Sequence, residues 1–129
     1  MNIGKAANLS NLTIKTVRYY ANIGLIKPTQ NSLTGYREYN EEEVSKLKFI
    51  GKARKFDFSI NECKELLSLY EDKKRTSKEV KKITLEKISQ IENKLRDLND
   101  LKKELSFLAN NCHGDDKPNC PILDELSKN

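Results

Sequence analysis

At 129 residues, with 33% charged side chains, no Trp and a net charge of +5, the chain has room for one small domain or a head plus an appendage, and none for a deep substrate cavity. No apolar run approaches the roughly 20 residues of a membrane span, and no signal-peptide pattern opens the chain, so a cytoplasmic protein without membrane attachment is expected. Three cysteines, an odd number, argue against a disulfide framework.

The charge is unevenly placed. Residues 1–58 carry ten Lys/Arg against five Asp/Glu, whereas residues 59–129 carry fourteen of each. The whole excess therefore sits in the N-terminal part, as a nucleic-acid footprint would require; a merely solubilising surface is the plain alternative. Asn2 is placed to cap a short helix to about Asn8, with Ile3, Ala6 and Ala7 inward. Leu9-Ser10-Asn11 reads as a tight turn, Asn being the non-Gly residue that best tolerates a left-handed backbone. Thr13 caps a second helix, Ile14 to about Asn22, ended near Gly24. Two short helices joined in this way follow the helix-turn-helix plan, whose second helix enters the major groove. Ile14 and Val17 would face the core, freeing Lys15 to reach base edges and Arg18 to clamp phosphate. An ordinary helical hairpin with a basic face is the competing reading.

Leu25-Ile26-Lys27-Pro28 and, after a polar loop, Thr34-Gly35-Tyr36-Arg37-Glu38-Tyr39 suggest a two-stranded wing bent at Gly35, with Tyr36 and Arg37 beside the DNA backbone. Asn40 ahead of three glutamates starts a third helix, with negative charge at the positive end of its dipole. Val44, Leu47, Ile50 and Ala53 form its inner face, and Arg54 and Lys55 near its end are candidate phosphate contacts. Ser59-x-x-Glu62 matches a capping box; the helix it opens is expected to bury Ile60, Cys63, Leu66, Leu67 and Tyr70. Cys63 reads as a small core residue.

After the basic linker Lys73-Lys74-Arg75, Thr76 to Asn110 contains neither Pro nor Gly. Ile88, Ile91, Leu95, Leu98, Leu101, Leu105 and Leu108 recur at steps of three and four, one stripe close to a heptad seam. Such a helix, roughly 50 Å long at 1.5 Å per residue, would leave the stripe wet unless a partner covers it. A second copy, parallel or antiparallel, is the obvious candidate. Beyond the helix, Gly114 and Pro118 let the loop fold back and bring Cys112 and Cys120 together, and Pro121 suits the first turn of a closing helix carrying Ile122, Leu123 and Leu126. Two thiols eight residues apart can bind a metal, form a disulfide or do neither. The spacing is not that of a zinc knuckle, and zinc wants four ligands. Soft thiolates favour Cu(I) and other soft monovalent ions, which tolerate two.

Thr13-Ile14-Lys15-Thr16-Val17-Arg18-Tyr19-Tyr20, Gly24-Leu25, Gly35-Tyr36-Arg37-Glu38-Tyr39, and a long helix ending in a cysteine loop resemble the MerR family of bacterial transcription regulators over nearly the whole chain. The tail Cys112-x-Gly114-Asp115-Asp116-x-x-x-Cys120-Pro121-Ile122 looks like the copper-sensing CueR branch in particular. The resemblance implies a mainly α chain: a winged helix-turn-helix DNA-binding head at 1–70, a linker at 71–75, an antiparallel coiled-coil dimerisation helix at 76–110, and a metal-sensing loop with a short helix at 111–129. It implies a homodimer on a near-palindromic promoter operator, acting on RNA polymerase indirectly by bending and underwinding double-stranded DNA. Lys15, Arg18, Tyr20, Tyr36, Arg37 and Arg54 would contact DNA; Cys112 and Cys120 would bind Cu(I), or Ag(I) or Au(I), to activate copper efflux or detoxification genes. Ser77 stands where zinc- and mercury-responding relatives carry a cysteine that reaches the partner's loop, so a divalent ion is left short of ligands. His113 departs from the usual Pro of copper sensors, and Asn31 from a basic residue often found in the wing loop. Two other functions compete: a regulator sensing a divalent metal or thiol oxidation, and a coiled-coil adaptor or thiol redox protein without DNA binding. The chain has no Cys-x-x-Cys and no convergent acid, base and nucleophile set, so it is not read as an enzyme.

Overall fold

Asn2 opens the fold as a cap, its Oδ1 accepting the Lys5 N–H at 2.9 Å, and α1 runs Ile3–Ser10 in the computed structural model, which describes residues 1–129. The helix runs two residues beyond the end that the sequence suggests. Ser10 Oγ donates back to the carbonyls of Ala6 and Ala7 at 2.8 and 3.2 Å, so Ser10 stays helical and the turn contracts to Asn11, at φ 58. Thr13 then caps α2, Ile14–Asn22, through Oγ1 to the Thr16 N–H at 3.1 Å, and Gly24 follows at φ 80, a conformation that suits glycine.

Leu25 and Ile26 are buried core, not the first strand of the wing. Pro28 carries no N–H to offer a ladder, and the strand forms just beyond it: β1, Thr29–Gln30, pairs antiparallel with β2, Arg37–Glu38, Thr29 opposite Glu38 and Gln30 opposite Arg37. Tyr39, 1% exposed, follows β2. Its backbone pairs with Met1, the terminal ammonium donating to the Tyr39 carbonyl at 2.6 Å and the Tyr39 N–H to the Met1 carbonyl at 2.7 Å. α3, Glu41–Lys55, and α4, Ile60–Glu71, each start in a full capping box, Asn40 with Glu43 and Ser59 with Glu62.

α1 packs on α2 and α3, and α3 packs on α4. Val44, Leu47, Ile50 and Ala53 are buried as their spacing predicts, with Val17, Ile26 and Cys63. Two face assignments fail. Ile14 is 44% exposed and Tyr20, three beyond Val17, takes the inward place; Tyr70 is 63% exposed, its ring 5.1 Å from that of Phe49 on α3. Lys46 ties α3 to α4 through Glu71 at 3.1 Å, with Glu42 at 3.7 Å.

The chain divides into two compact units, Met1–Lys82 and Ile83–Asn129. α5 is a single helix, Ser77–Asn110, and Thr76 Oγ1 accepts the Glu79 N–H at 3.4 Å at its start. Along its later turns Leu95, Leu98, Leu101 and Leu105 are between 54% and 62% exposed. The apolar stripe exists, and within one chain it faces open space. α6, Pro121–Leu126, closes the chain with Pro at its first position.

Candidate nucleic-acid and metal sites

On α2, burial of Val17 and Tyr20 fixes the outer face: Lys15, Arg18 and Tyr19 are exposed. Arg18 reaches a cleft of about 620 Å³ that it shares with Asn2, Asn22, Gly35, Tyr36 and Arg37. Two guanidinium groups, one from the helix and one from β2, thus line one open, unacidic recess, a geometry suited to a phosphodiester. Tyr36 stands beside them, 77% exposed.

The wing loop is braced from within. Asn31 Oδ1 accepts the N–H groups of Leu33 and Thr34 at 2.8 and 3.1 Å, and Asn31 Nδ2 donates to Glu38 Oε1 at 3.0 Å. Gln30 Nε2 donates to the Gly35 carbonyl at 3.0 Å, and Asn31 and Gly35 close the turn through their own N–H groups, to Tyr36 O and Asn31 O, both at 2.8 Å. The side chain of Asn31 is thus spent on holding the loop.

Tyr20 does not join the exposed set. It is 5% exposed, in the core; burial pushes the phenol up and the neighbouring Arg54 guanidinium opposes this. The expectation of a DNA contact at Tyr20 is therefore corrected: its neighbour Tyr19 faces outward, half exposed. Tyr20 and Val17 satisfy the same three-residue spacing as Val17 and Ile14, and that was the signal available in the sequence. Arg54 also donates from Nη1 to the Phe58 carbonyl at 2.8 Å. Its guanidinium joins α2, α3 and the start of α4, while the side chain keeps an exposed surface.

In the tail, Gly114 at φ 61 turns the loop, and Asp115 Oδ1 accepts the Lys117 N–H at 2.9 Å. Cys112 and Cys120, both half-buried and unbonded, come to 4.0 Å between sulfurs. Cys120 precedes α6. Its sulfur makes no close capping hydrogen bond, yet the Leu123 amide foremost, then Ile122 and the Cys112 thiol, hold Cys120 below the ordinary thiol range, against partial desolvation and the Asp124 carboxylate. An ion midway between the sulfurs would lie 2.0 Å from each, against about 2.3 Å for a metal–thiolate bond, so a small widening or a bend admits one ion. His113, Asp115 and Asp116 do not complete a set: no group of three or more His, Cys, Asp or Glu side chains that could hold a metal forms in the chain. Cys63, fully buried, donates weakly to the Phe58 carbonyl at 3.9 Å, and burial pushes its thiol up. Ser77 is exposed at the first position of α5.

A cationic helix set beside a braced two-stranded wing defines a winged helix-turn-helix protein. The chain belongs to the MerR family: the MerR HTH family regulatory protein model matches residues 1–69 and the MerR DNA-binding model residues 44–108. It is 48% identical over 127 residues to the HTH-type transcriptional regulator HmrR of Rhizobium leguminosarum bv. viciae, covering 98% of each chain. It is 41% identical to the transcriptional regulator CueR of Salmonella typhimurium, over 98% of this chain and 92% of that one. A transcription regulator from Ralstonia metallidurans solved in complex with lead(II) superposes with a TM-score of 0.82 at 29% identity, over 98% of this chain and 99% of that one. These relatives are regulators of transcription, not enzymes. No helix is long and apolar enough to cross a membrane.

Proposed function

We propose that this chain is a cytoplasmic, homodimeric transcription activator that binds Cu(I), or Ag(I) or Au(I), through Cys112 and Cys120 and drives copper export or detoxification genes. The observation that carries the reading is the donor set: two sulfurs 4.0 Å apart with no third ligand gathered beside them. A divalent ion that wants four donors is poorly served there, whereas a soft monovalent ion accepts two thiolates. Bound to both, it leaves one net negative charge, and the Leu123 and Ile122 amides that already favour the Cys120 thiolate would face it.

Residues 1–70 then form the reading head, 71–75 the linker, 76–110 the dimerisation helix and 111–129 the sensor. An antiparallel pairing of two α5 helices covers the Leu95–Leu105 stripe and brings the start of one helix to the end of the other. Ser77 thereby meets the partner's cysteine loop and supplies no sulfur to it. Lys15 reads base edges; Arg18, Tyr36, Arg37 and the exposed edge of Arg54 hold phosphates on each half of a near-palindromic operator. Deforming promoter DNA costs several kcal/mol, so a modest shift between two heads decides whether RNA polymerase can use both promoter elements.

The structural likeness to a lead(II)-bound regulator supports a competing reading, a divalent-metal sensor. Competitive titration separates the two: Cu(I) holds the site against Zn(II) and Pb(II) at equal buffered free concentrations, and displacement by either divalent ion refutes the monovalent assignment. Cys112→Ser and Cys120→Ser each abolish induction by metal while leaving operator affinity near that of the parent; induction surviving in either variant rules out a two-thiolate site.

A further inference from the structure

Leu33 is 94% exposed, more than any other large apolar side chain of the molecule. It does not sit on a loose loop. Asn31 Oδ1 accepts its own N–H at 2.8 Å and that of Thr34 at 3.1 Å, and the Tyr36 N–H is bound by Thr34 Oγ1 at 3.2 Å. Gly35 at φ 74 completes the bend. Such bracing spends the polar groups of Gln30, Asn31 and Thr34 on the loop itself, so the long side chain left pointing outward is a leucine. A single exposed leucine is ordinary on a protein surface; what sets Leu33 apart is that the hydrogen bonds of the turn hold it at the tip of the wing.

The placement names an occupant. With α2 in the major groove, the Arg18–Tyr36–Arg37 cleft lies over the adjoining phosphate strand, and the next feature along the duplex is a minor groove, about 6 Å wide. Gln30 to Arg37 contains no acidic residue, and the adjacent Glu38 carboxylate is engaged by Asn31 Nδ2 at 3.0 Å, which leaves the tip of the loop without an acid against the phosphates that wall this groove. Apolar wedges of this size enter minor grooves and part base steps, most readily at flexible pyrimidine–purine steps. We infer that Leu33 is an apolar minor-groove wedge that reads the deformability of the base step flanking each half-site. This rests on the DNA-binding reading above and adds a specificity determinant to it: flank preference arises from Leu33 and not from hydrogen bonds to bases.

The test selects duplexes from a randomised library with the full chain, the Leu33→Ser variant and the Leu33→Met variant. It then maps hydroxyl-radical cleavage, which reports on the minor groove, on the selected duplexes. The parent enriches flexible steps outside each half-site and protects the groove there. L33S keeps the half-site preference, loses the flank preference and the protection, and binds on the order of 100-fold more weakly, the scale of two leucine side chains, one per half-site, returned to water. Its salt slope is unchanged, because no phosphate contact is lost; L33M, still apolar, behaves as the parent. L33S selecting the same flanks with the same protection overturns the wedge and leaves Leu33 to a protein partner. If the parent itself shows no salt-dependent binding to any duplex, the DNA-binding reading fails first and the wedge with it, an outcome distinguishable from the former.

Discussion

Truncating Leu98 to Ala tests whether the open stripe on α5 is a dimer seam. Leu98 is 62% exposed in the single chain. Full burial of a leucine side chain is worth roughly 1.5–3 kcal/mol, so a helix covering the exposed part gains about 1–2 kcal/mol per protomer. A two-fold interface contains the residue twice, and L98A should weaken the dimer by about 2–4 kcal/mol, roughly 30- to 900-fold in dissociation constant. Sedimentation equilibrium over a dilution series reads that constant directly. Circular dichroism at concentrations where both proteins are dimeric should show the same helix content, because Ala is the better helix former. An unchanged dissociation constant would refute the reasoning, and would mean that the stripe stays wet or meets something other than a second copy.

Tyr39 offers a test inside the head. Its hydroxyl is buried without a hydrogen-bond partner, so Tyr39→Phe should stabilise the protein by roughly 1 kcal/mol or more, read as a higher urea midpoint at unchanged slope; a lower midpoint would show that the hydroxyl is satisfied. Arg18→Ala should weaken binding to all duplexes alike and reduce the salt slope by about two, one for each half-site, and a loss confined to one sequence would reassign Arg18 to base readout. Iodoacetamide should label Cys120 ahead of Cys63 at neutral pH, since one thiol is held low by the Leu123 amide and the other is raised by burial. The sign for stability follows: a thiol lowered by folding stabilises above its unfolded titration range, and that contribution is lost as pH falls through the folded midpoint. A Cys63 adduct appearing first in peptide mass spectrometry would contradict this.

Where the sequence carried the information locally, it could be read. The Asn40 cap, the Ser59 box, the αL place at Asn11 and the inner face of α3 each depend on residues within one or two turns, and each formed as expected. Faces of short helices were harder. Nine residues of α2 hold two overlapping apolar pairs, Ile14 with Val17 and Val17 with Tyr20; the choice falls to whatever packs against them, and the Arg54 guanidinium makes burial of the Tyr20 hydroxyl tolerable. Tyr70 escaped burial because Phe49 gives its ring a neighbour at the surface. The cysteine pair was legible from the turn residues between them, whereas the depression of Cys120 depends on the direction of the α6 amides, which no spacing reveals. Leu33 gave no warning at all: in a string it is one apolar residue in a polar loop, and only the Asn31 scaffold shows that it is held outward.

The bond set around Arg54 has a mechanical consequence. One planar cation lies beside the Tyr20 hydroxyl of α2 and holds the Phe58 carbonyl that leads into α4, while Lys46 ties α3 to α4 from another side. A displacement of α4 against the rest of the head is therefore resisted at two separate places, the Phe58 carbonyl and the Lys46–Glu71 pair.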